Sequence, residues 1–468
     1  MSGSITLYFS LLLLGMVCLA ISFFQWRWSM YFFFVWLLVE GAFRKWFLPG
    51  LSTVLIFVKY AIVVGPFMLC LLKNKANYSY PFVPIIFFYF FWGIIEFFNW
   101  SATSDIRIFL VGMMIHYSFI TLIVTVPAVL NTKQKILRFF RWAAFLAIPI
   151  LLLGVYQYSL PPSHYLNKYV GDSTSIAGFM GKVRIISTFS YIAPFGQYLF
   201  VLLSFLMVLI IQENNKFLSA VYYCCFVLAW LNVFMTASRG VVAVSAILTI
   251  GFILLSVSRR NALWQKFVLR ILLVGILTVV AFTVSSSGQK SFELLVKRFE
   301  RGRVSSRVYN MVRIARLQNA GLLGYGIGTE FQGISRILDI RKQFDVVFEG
   351  EKDRLVAGIG FVGYCIVMVL RIIIMIWVWG VFFRTKNYSL RIILIFPVAC
   401  LTQGAILGGV IYNFMANAHY WFSVGLAIAV LRIQHMEKMQ QWRLRLSYSG
   451  RGPYAPSNNC DLLPTNDS

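Results

Sequence analysis

Residues 191–256 read YIAPFGQYLFVLLSFLMVLIIQENNKFLSAVYYCCFVLAWLNVFMTASRGVVAVSAILTIGFILLS. Three apolar runs, 191–211, 218–235 and 240–257, follow one another with only the short polar breaks around ENNK and TASRG between them. About 20 apolar residues of α-helix cross a bilayer, and in lipid only a helix or a closed barrel satisfies its own backbone. Working outward, further runs lie at 5–24, 29–43, 51–72, 81–98, 106–130, 142–158, 268–284, 356–380, 391–411 and 418–432. Hydrophobic residues make up 59% of the 468, and charged ones only 12%. That excludes an ordinary soluble domain. The expectation is an all-α polytopic membrane protein with about 12–13 transmembrane helices.

The charge balance is 42 Lys+Arg against 16 Asp+Glu, a formal net charge of +26. Such an excess suits anionic lipid surfaces or phosphate-bearing substrates. Nucleic acid is not expected as a partner, because the basic residues sit in short loops between apolar runs. If the crossings alternate, Arg27, Lys73, Lys75, Lys133, Lys135, Arg138, Arg141, Lys216, Arg259, Arg260, Lys266, Arg270, Arg384, Lys386 and Arg391 fall on one side. Only Arg44, Lys45, Arg107, Lys168, Lys182, Arg184 and Arg239 fall in the short loops opposite. The richer side is expected to be cytoplasmic, with 1–432 as the membrane domain and 433–468 as a basic cytoplasmic tail. An odd number of crossings puts the N-terminus outside, and a single re-entrant run reverses it. The run 5–24 has no basic residue before it and no small-residue cleavage site after it, so it is expected to stay as a first span. Six of the seven cysteines fall in apolar runs, which gives neither a disulfide framework nor a metal-binding spacing.

Two outside loops exceed simple connectors, 159–190 and 285–355. The second begins with eight Lys/Arg in 285–319 against Glu293 and Glu300. Val304, Val308, Met311, Val312, Ala315 and Leu317 recur at helical spacing, so an interfacial helix is expected there, ended by GLLGYGIG at 321–328. Arg303 and Arg307 share one face with Asn310, and Arg313 and Arg316 form a second row. Gly324, Gly326 and Gly328 follow a basic helix instead of a strand, which argues against a dinucleotide fingerprint. A turn that returns the chain to the membrane, or a backbone nest for a phosphate, are the open readings. P-loop, HExxH and GxSxG signatures are absent. TASRG, 236–240, sets Arg239 between two apolar runs, a depth where a guanidinium must be paired, reach water or bind an anion. Arg suits a diphosphate because its planar fork donates twice.

TASRG, then a long outside loop with Arg307, then GLLGYGIGT and EGEKDRLVAGIGFVG, together resemble the bacterial O-antigen polymerase/ligase superfamily over roughly 184–365. EGAFRKWFLPG at 40–50 and YSLPPSHYLNKYVG at 158–171 resemble a subgroup of exopolysaccharide polymerases. The resemblance implies a C-type membrane glycosyltransferase at the periplasmic face of the inner membrane. Its donor and acceptor would be polyprenyl-diphosphate-linked glycans, and a chain-length regulator or a flippase would be partner proteins. Ligases of this superfamily carry a histidine late in the long loop. Here that stretch offers Glu349, Glu351 and Asp353, which favours a polymerase over a ligase. A lipid-linked glycan flippase or other transporter is the alternative from another class, although no internal repeat supports it.

Displacing a polyprenyl diphosphate needs cations on the leaving group and a base at the acceptor hydroxyl. Arginines supply the cations without a metal, and no cofactor is expected. Arg239 and Arg307 are the leading diphosphate candidates, followed by Arg303, Arg313 and Arg184, with Arg44 further off. For the base the order is Glu349 or Glu351, then His419, then His164. Outside-loop tyrosines such as Tyr158, Tyr165, Tyr169, Tyr191 and Tyr325 are candidates to stack on sugar faces.

Overall fold

The computed structural model describes residues 24–73, 80–99, 106–170, 178–179, 182–256, 321–331 and 350–448, together with a few single positions. Its helices are α1 (Trp26–Ala42), α2 (Ser52–Lys73), α3 (Val83–Ile95), α4 (Ile106–Tyr117), α5 (Leu122–Val129), α6 (Lys133–Ser159), α7 (Ile192–Gln212), α8 (Lys216–Met235), α9 (Arg239–Ser256), α10 (Glu351–Arg384), α11 (Tyr388–Ile406) and α12 (Phe414–Tyr448). A two-residue hairpin pairs Gly178–Phe179 with Lys182–Val183. Eight segments are long and apolar enough to cross a membrane: Pro49–Leu71, Ile106–Val129, Lys133–Ser159, Ile192–Gln212, Lys216–Met235, Glu351–Arg384, Tyr388–Ile406 and Phe414–Leu444. The protein is therefore a multi-pass, all-α membrane protein.

Thirteen runs were expected, and the difference has a local origin. Runs 29–43, 81–98 and 240–257 form the shorter helices α1, α3 and α9. Run 5–24 lies almost wholly outside the described residues, as does 268–284. The interfacial helix expected in 285–319 lies outside them too.

α7 and α12 form the centre, each with 89% of its apolar window buried in the protein. α8, at 33%, is peripheral and turns most of its surface outward. Aromatic rings fill the space between the central helices, with Phe140 stacked on Phe205 at 4.1 Å and Phe422 meeting Phe34, Phe139 and Phe396. Between α5 and α12, Gly425 lies where an added Cβ would meet the Leu122 carbonyl and Val126. Close approach of this kind is how helices associate in lipid, where the hydrophobic effect between them is weak. Thr132, Asn215 and Asn387 cap α6, α8 and α11 by accepting from backbone N–H groups of the first turn. All three caps lie at the end to which the loop charges assign the cytoplasm. The same loop charges make the opposite end the expected outer end.

α10 is two limbs. Twenty residues of straight helix would hold Glu351 and Arg371 about 30 Å apart, yet their side chains are hydrogen-bonded at 3.0 Å. Gly360, at φ 69 and ψ 177, breaks the helix and folds the limb 351–359 back beside 361–384. The glycine turn 321–330 is stitched into this break. Tyr325 N–H donates to the Ala357 carbonyl at 2.6 Å and Val362 N–H to Leu322 at 3.4 Å. From α3, Trp92 donates to the Ile359 carbonyl at 3.0 Å, and Asn99 beyond its end donates to Leu323 and Gly324. Residues 321–330 form a turn against α10, and the basic helix expected before it lies outside the described residues.

Candidate functional site

Two stretches from the N-terminal half meet on a short non-helical segment, 184–190, that turns at Ser187. After α1 the backbone makes a π-helical turn, Phe43–Phe47, a feature often found at functional sites. It directs two consecutive basic side chains onto the same segment. Arg44 donates to Ser190 Oγ at 3.3 Å, and Lys45 Nζ to the Ser187 carbonyl at 2.7 Å. Arg44 also donates through Nε to the Ser52 carbonyl and hydroxyl at 3.0 and 3.1 Å. On the other side, Gln157 of α6 donates to the same Ser187 carbonyl and accepts from Ser187 N–H at 2.7 Å. Ser187 itself holds φ 49, a left-handed conformation that costs a non-glycine residue of order 1 kcal/mol or more. Its hydroxyl bond to the Ile150 carbonyl at 2.7 Å helps hold it there. Gln157 and Asn167 also fold the 158–171 loop onto the bundle.

Below Arg44 lies a buried ion pair. Lys59 of α2 is 0% exposed and donates to both carboxylate oxygens of Glu40 at 3.0 and 2.9 Å. Arg44 touches the same carboxylate at 3.3 Å. The Phe414 ring lies 3.8 Å from Lys59 Nζ. Burial lowers the Lys45 ammonium well below its ordinary range.

The far end of the 184–190 segment reaches the TASRG turn. Arg184 Nε donates to the Thr236 carbonyl at 3.2 Å, and Ile185 N–H to Met235 at 3.4 Å. Ala237 carries φ 47, which folds the turn so that half-buried Arg239 opens α9. A helix N-terminus is a positive end. Arg239 there adds to the field, so the pair Arg184 and Arg239 favours an anion. The structure thus brings Arg184 to the turn that carries Arg239, while Arg44 meets the other end of the same segment at Ser190. Arg303, Arg307, Arg313 and Glu349 lie outside the described residues.

Glu351 differs from its expected place as an exposed base. Arg371 grips both of its oxygens at 3.0 Å, and the backbone N–H groups of Gly409, Val410 and Ile411 donate to them as well. Its lone pairs are filled, so the geometry makes it an anchor between the folded-back limb and the α11–α12 turn. His419 is also internal. Its Nδ1 contacts the Met415 carbonyl at 2.8 Å, and its ring lines an apolar cavity of about 30 Å³ with Phe34, Phe139 and Phe205. His164 accepts from Leu166 N–H within its own loop.

A polar chain that the sequence reading passed over lies beside Arg371. Glu330, at the end of the glycine turn, meets His116 Nε2 at 3.0 Å, and His116 Nδ1 meets the Tyr89 hydroxyl at 2.5 Å. Tyr412 donates to Glu330 Oε1 at 3.2 Å, and Gly328 N–H donates to Oε2 at 2.8 Å. The Glu330 and His116 side chains are 0% exposed. A cavity of about 20 Å³, room for one water, adjoins Tyr89, His116, Arg371 and Asn417. Gly328 N–H is thus taken by a carboxylate of the same turn, which leaves less of the turn available as a phosphate nest. One signal could have found Glu40, Lys59, His116 and Arg371: each is an ionisable residue inside an apolar run.

No protein-family model and no curated protein matches the chain. Fold and composition together establish a multi-pass, all-helical membrane protein, and basic residues from separate stretches gather at one end of its bundle.

Proposed function

We propose that the protein is a membrane glycosyltransferase that polymerises polyprenyl-diphosphate-linked oligosaccharide units into a surface polysaccharide. The observation that carries this reading is the contact of Arg184 with the Thr236 carbonyl, which sets two arginines from distant stretches at the N-terminus of α9. An arginine fork with a helix N-terminus behind it stabilises the charge that develops on a departing diphosphate. The Thr236 carbonyl holds Arg184 by Nε, which orients the two terminal nitrogens of its fork. The ordered resemblance from TASRG to AGIGFVG supports the same reading.

In this scheme Arg184 and Arg239 contact the donor diphosphate, and Arg303, Arg307 and Arg313 of the long loop are the further diphosphate candidates. The acceptor sugar enters across the tyrosines of the 158–191 loop. Glu330 and Glu351 position the glycine turn and the folded-back limb, since their oxygens are already engaged. The test is removal of the gene in its host followed by analysis of lipid-linked intermediates. Single lipid-linked units should accumulate and long polymer should vanish, and Arg239→Ala should reproduce this. An unchanged chain-length distribution, with Arg239→Ala protein present at the normal level, would reject the assignment.

One observation favours a second reading, transport of the lipid-linked glycan. The break at Gly360 makes a discontinuous helix with a folded-back limb, a form that transporters use around a substrate. Transport predicts that deletion strands the lipid-linked unit on the cytoplasmic leaflet. Polymerisation predicts that it reaches the outer leaflet and stops there.

A further inference from the structure

The EGAFRKWFLPG stretch holds more positive charge than its surroundings neutralise. Three basic side chains, Arg44, Lys45 and Lys59, have one carboxylate, Glu40, in ion-pair range among the described residues, and burial without an anion disfavours the charged form of Lys45. Glu40 is committed to Lys59, which it meets through both oxygens at 3.0 and 2.9 Å, while Arg44 makes one longer contact at 3.3 Å. The rest of the coordination of Arg44 and Lys45 is neutral: the Ser52 carbonyl and hydroxyl, the Ser190 hydroxyl, the Ser187 carbonyl and the Trp46 ring. The end of the α1 helix offers roughly half a negative charge, which falls short of two cations. Partly buried cations in such a setting are costly unless an anion joins them.

The scaffold is also built to hold its shape. The π-turn presents Arg44 and Lys45 side by side, and the left-handed Ser187 turns its carbonyl to Lys45 while the chain runs on to Ser190. Gly41 packs so closely under Thr188, Phe189 and Ser190 that a Cβ there would overlap their backbone. The edge of the site is partly exposed. Arg44 keeps 11% of its side chain exposed, and the neighbouring Phe47 and Leu48 are 67% and 41% exposed. Exposed apolar side chains at the edge of the membrane domain suit a ligand with a hydrocarbon tail.

We infer that Arg44 and Lys45, with the Ser190 hydroxyl, form an oxyanion site at the outer end of α1 for the anionic phosphoryl group of a membrane lipid. A phosphoryl anion supplies the negative charge that the neutral partners of Arg44 and Lys45 lack, and it favours the charged form of Lys45. The guanidinium fork and the ammonium supply donors of different geometry to its oxygens. The site is separate from Arg239, because it sits at the opposite end of the 184–190 segment. The lipid could be the polyprenyl-diphosphate substrate of the proposed function or an anionic phospholipid, and both present the same phosphoryl oxygens.

Full-length protein in phosphatidylcholine nanodiscs, titrated with radiolabelled inorganic pyrophosphate, tests this. Saturable binding is expected, weakened about tenfold or more by Arg44→Gln and by Lys45→Gln, and unchanged by Lys216→Gln at the other end of the bundle. A second measurement needs no variant: pyrophosphate should slow acylation of Lys45 by an amine-reactive reagent, read by peptide mass spectrometry. Competition by polyprenyl diphosphate identifies the substrate lipid as the occupant. Loss of pyrophosphate binding when phosphatidylglycerol replaces phosphatidylcholine, without such competition, identifies the phospholipid headgroup. Wild-type binding in both variants, or Lys45 acylation at the same rate with and without pyrophosphate, overturns the inference. Because binding is read without turnover, loss of the polymerase reading with pyrophosphate binding intact leaves the site standing.

Discussion

Glu40 and Lys59 show what one buried charge costs in this bundle. Lys59 is fully enclosed and donates to both oxygens of Glu40. Removing one member of such a pair strands the other, at about 3–5 kcal/mol, whereas replacing both by apolar residues of similar volume is often neutral. Glu40→Gln should therefore lower the melting temperature in detergent strongly, and Glu40→Leu with Lys59→Met should recover most of the loss. A double variant no better than the single would mean that the pair contributes more than its mutual charge. His116 is a second case, because it bridges Tyr89 and Glu330. His116→Phe leaves the buried carboxylate short of a partner, a penalty of about 1–3 kcal/mol or more. It should speed proteolysis within 321–331, while Tyr89→Phe, which removes only the far end of the chain, should have a smaller effect. The reverse order would show that Glu330 does not hold the turn down.

Among the elements, α10 depends most on a single backbone angle. Gly360 sits at φ 69, and a Cβ there would overlap the carbonyl of Leu322. Gly324, at φ 72, would likewise drive a Cβ into the backbone of Gly360. The break and the glycine turn therefore require each other. Gly360→Ala should cost at least the 1–3 kcal/mol of a non-glycine residue held in a left-handed conformation, and the displaced turn adds to it. The expected readout is a lower melting temperature together with loss of protection in the turn and in the limb 351–359. Protection lost in the turn alone would show that the folded-back limb is held by Glu351 and Arg371 without help from it. The sequence of this region, AGIGFVGYCIVMVL, reads as one continuous apolar run. Nothing in it separates a helical glycine from a left-handed one, since that choice is made by a partner turn about thirty-five residues earlier.

For the whole molecule, the loop charges predict a direction for every helix. The turn after α10, with Arg384 and Lys386, should face the cytoplasm, and the turn after α11, with Leu407 and Gly409, should face outward. In a cysteine-free background, Lys386→Cys should react with a membrane-impermeant thiol reagent only in inverted vesicles, and Leu407→Cys only in intact cells or spheroplasts. Labelling of both from the same side would remove the intervening crossing, and with it the common outer end of Arg44, Arg184 and Arg239.

The sequence by itself determined the class of the protein, because a run of about twenty apolar residues has one stable form in lipid. Eight such runs became long apolar helices. It also marked Arg239 and Arg184 as candidates, because a cation beside an apolar run needs a reason. The tertiary structure decided which charges meet. Glu351 reads as a loop carboxylate in the sequence, and it is enclosed by Arg371 and three backbone amides because a break at Gly360 folds its limb inward. Arg44 stood at the edge of the sequence argument, and it joins Arg184 only through the path of 184–190 across the bundle. Hydrophobic run length is a local property that each stretch carries alone. Polar pairing is set by contacts between residues as far apart as Arg44 and Ser190, or His116 and Glu330, and only the packed chain brings them within reach.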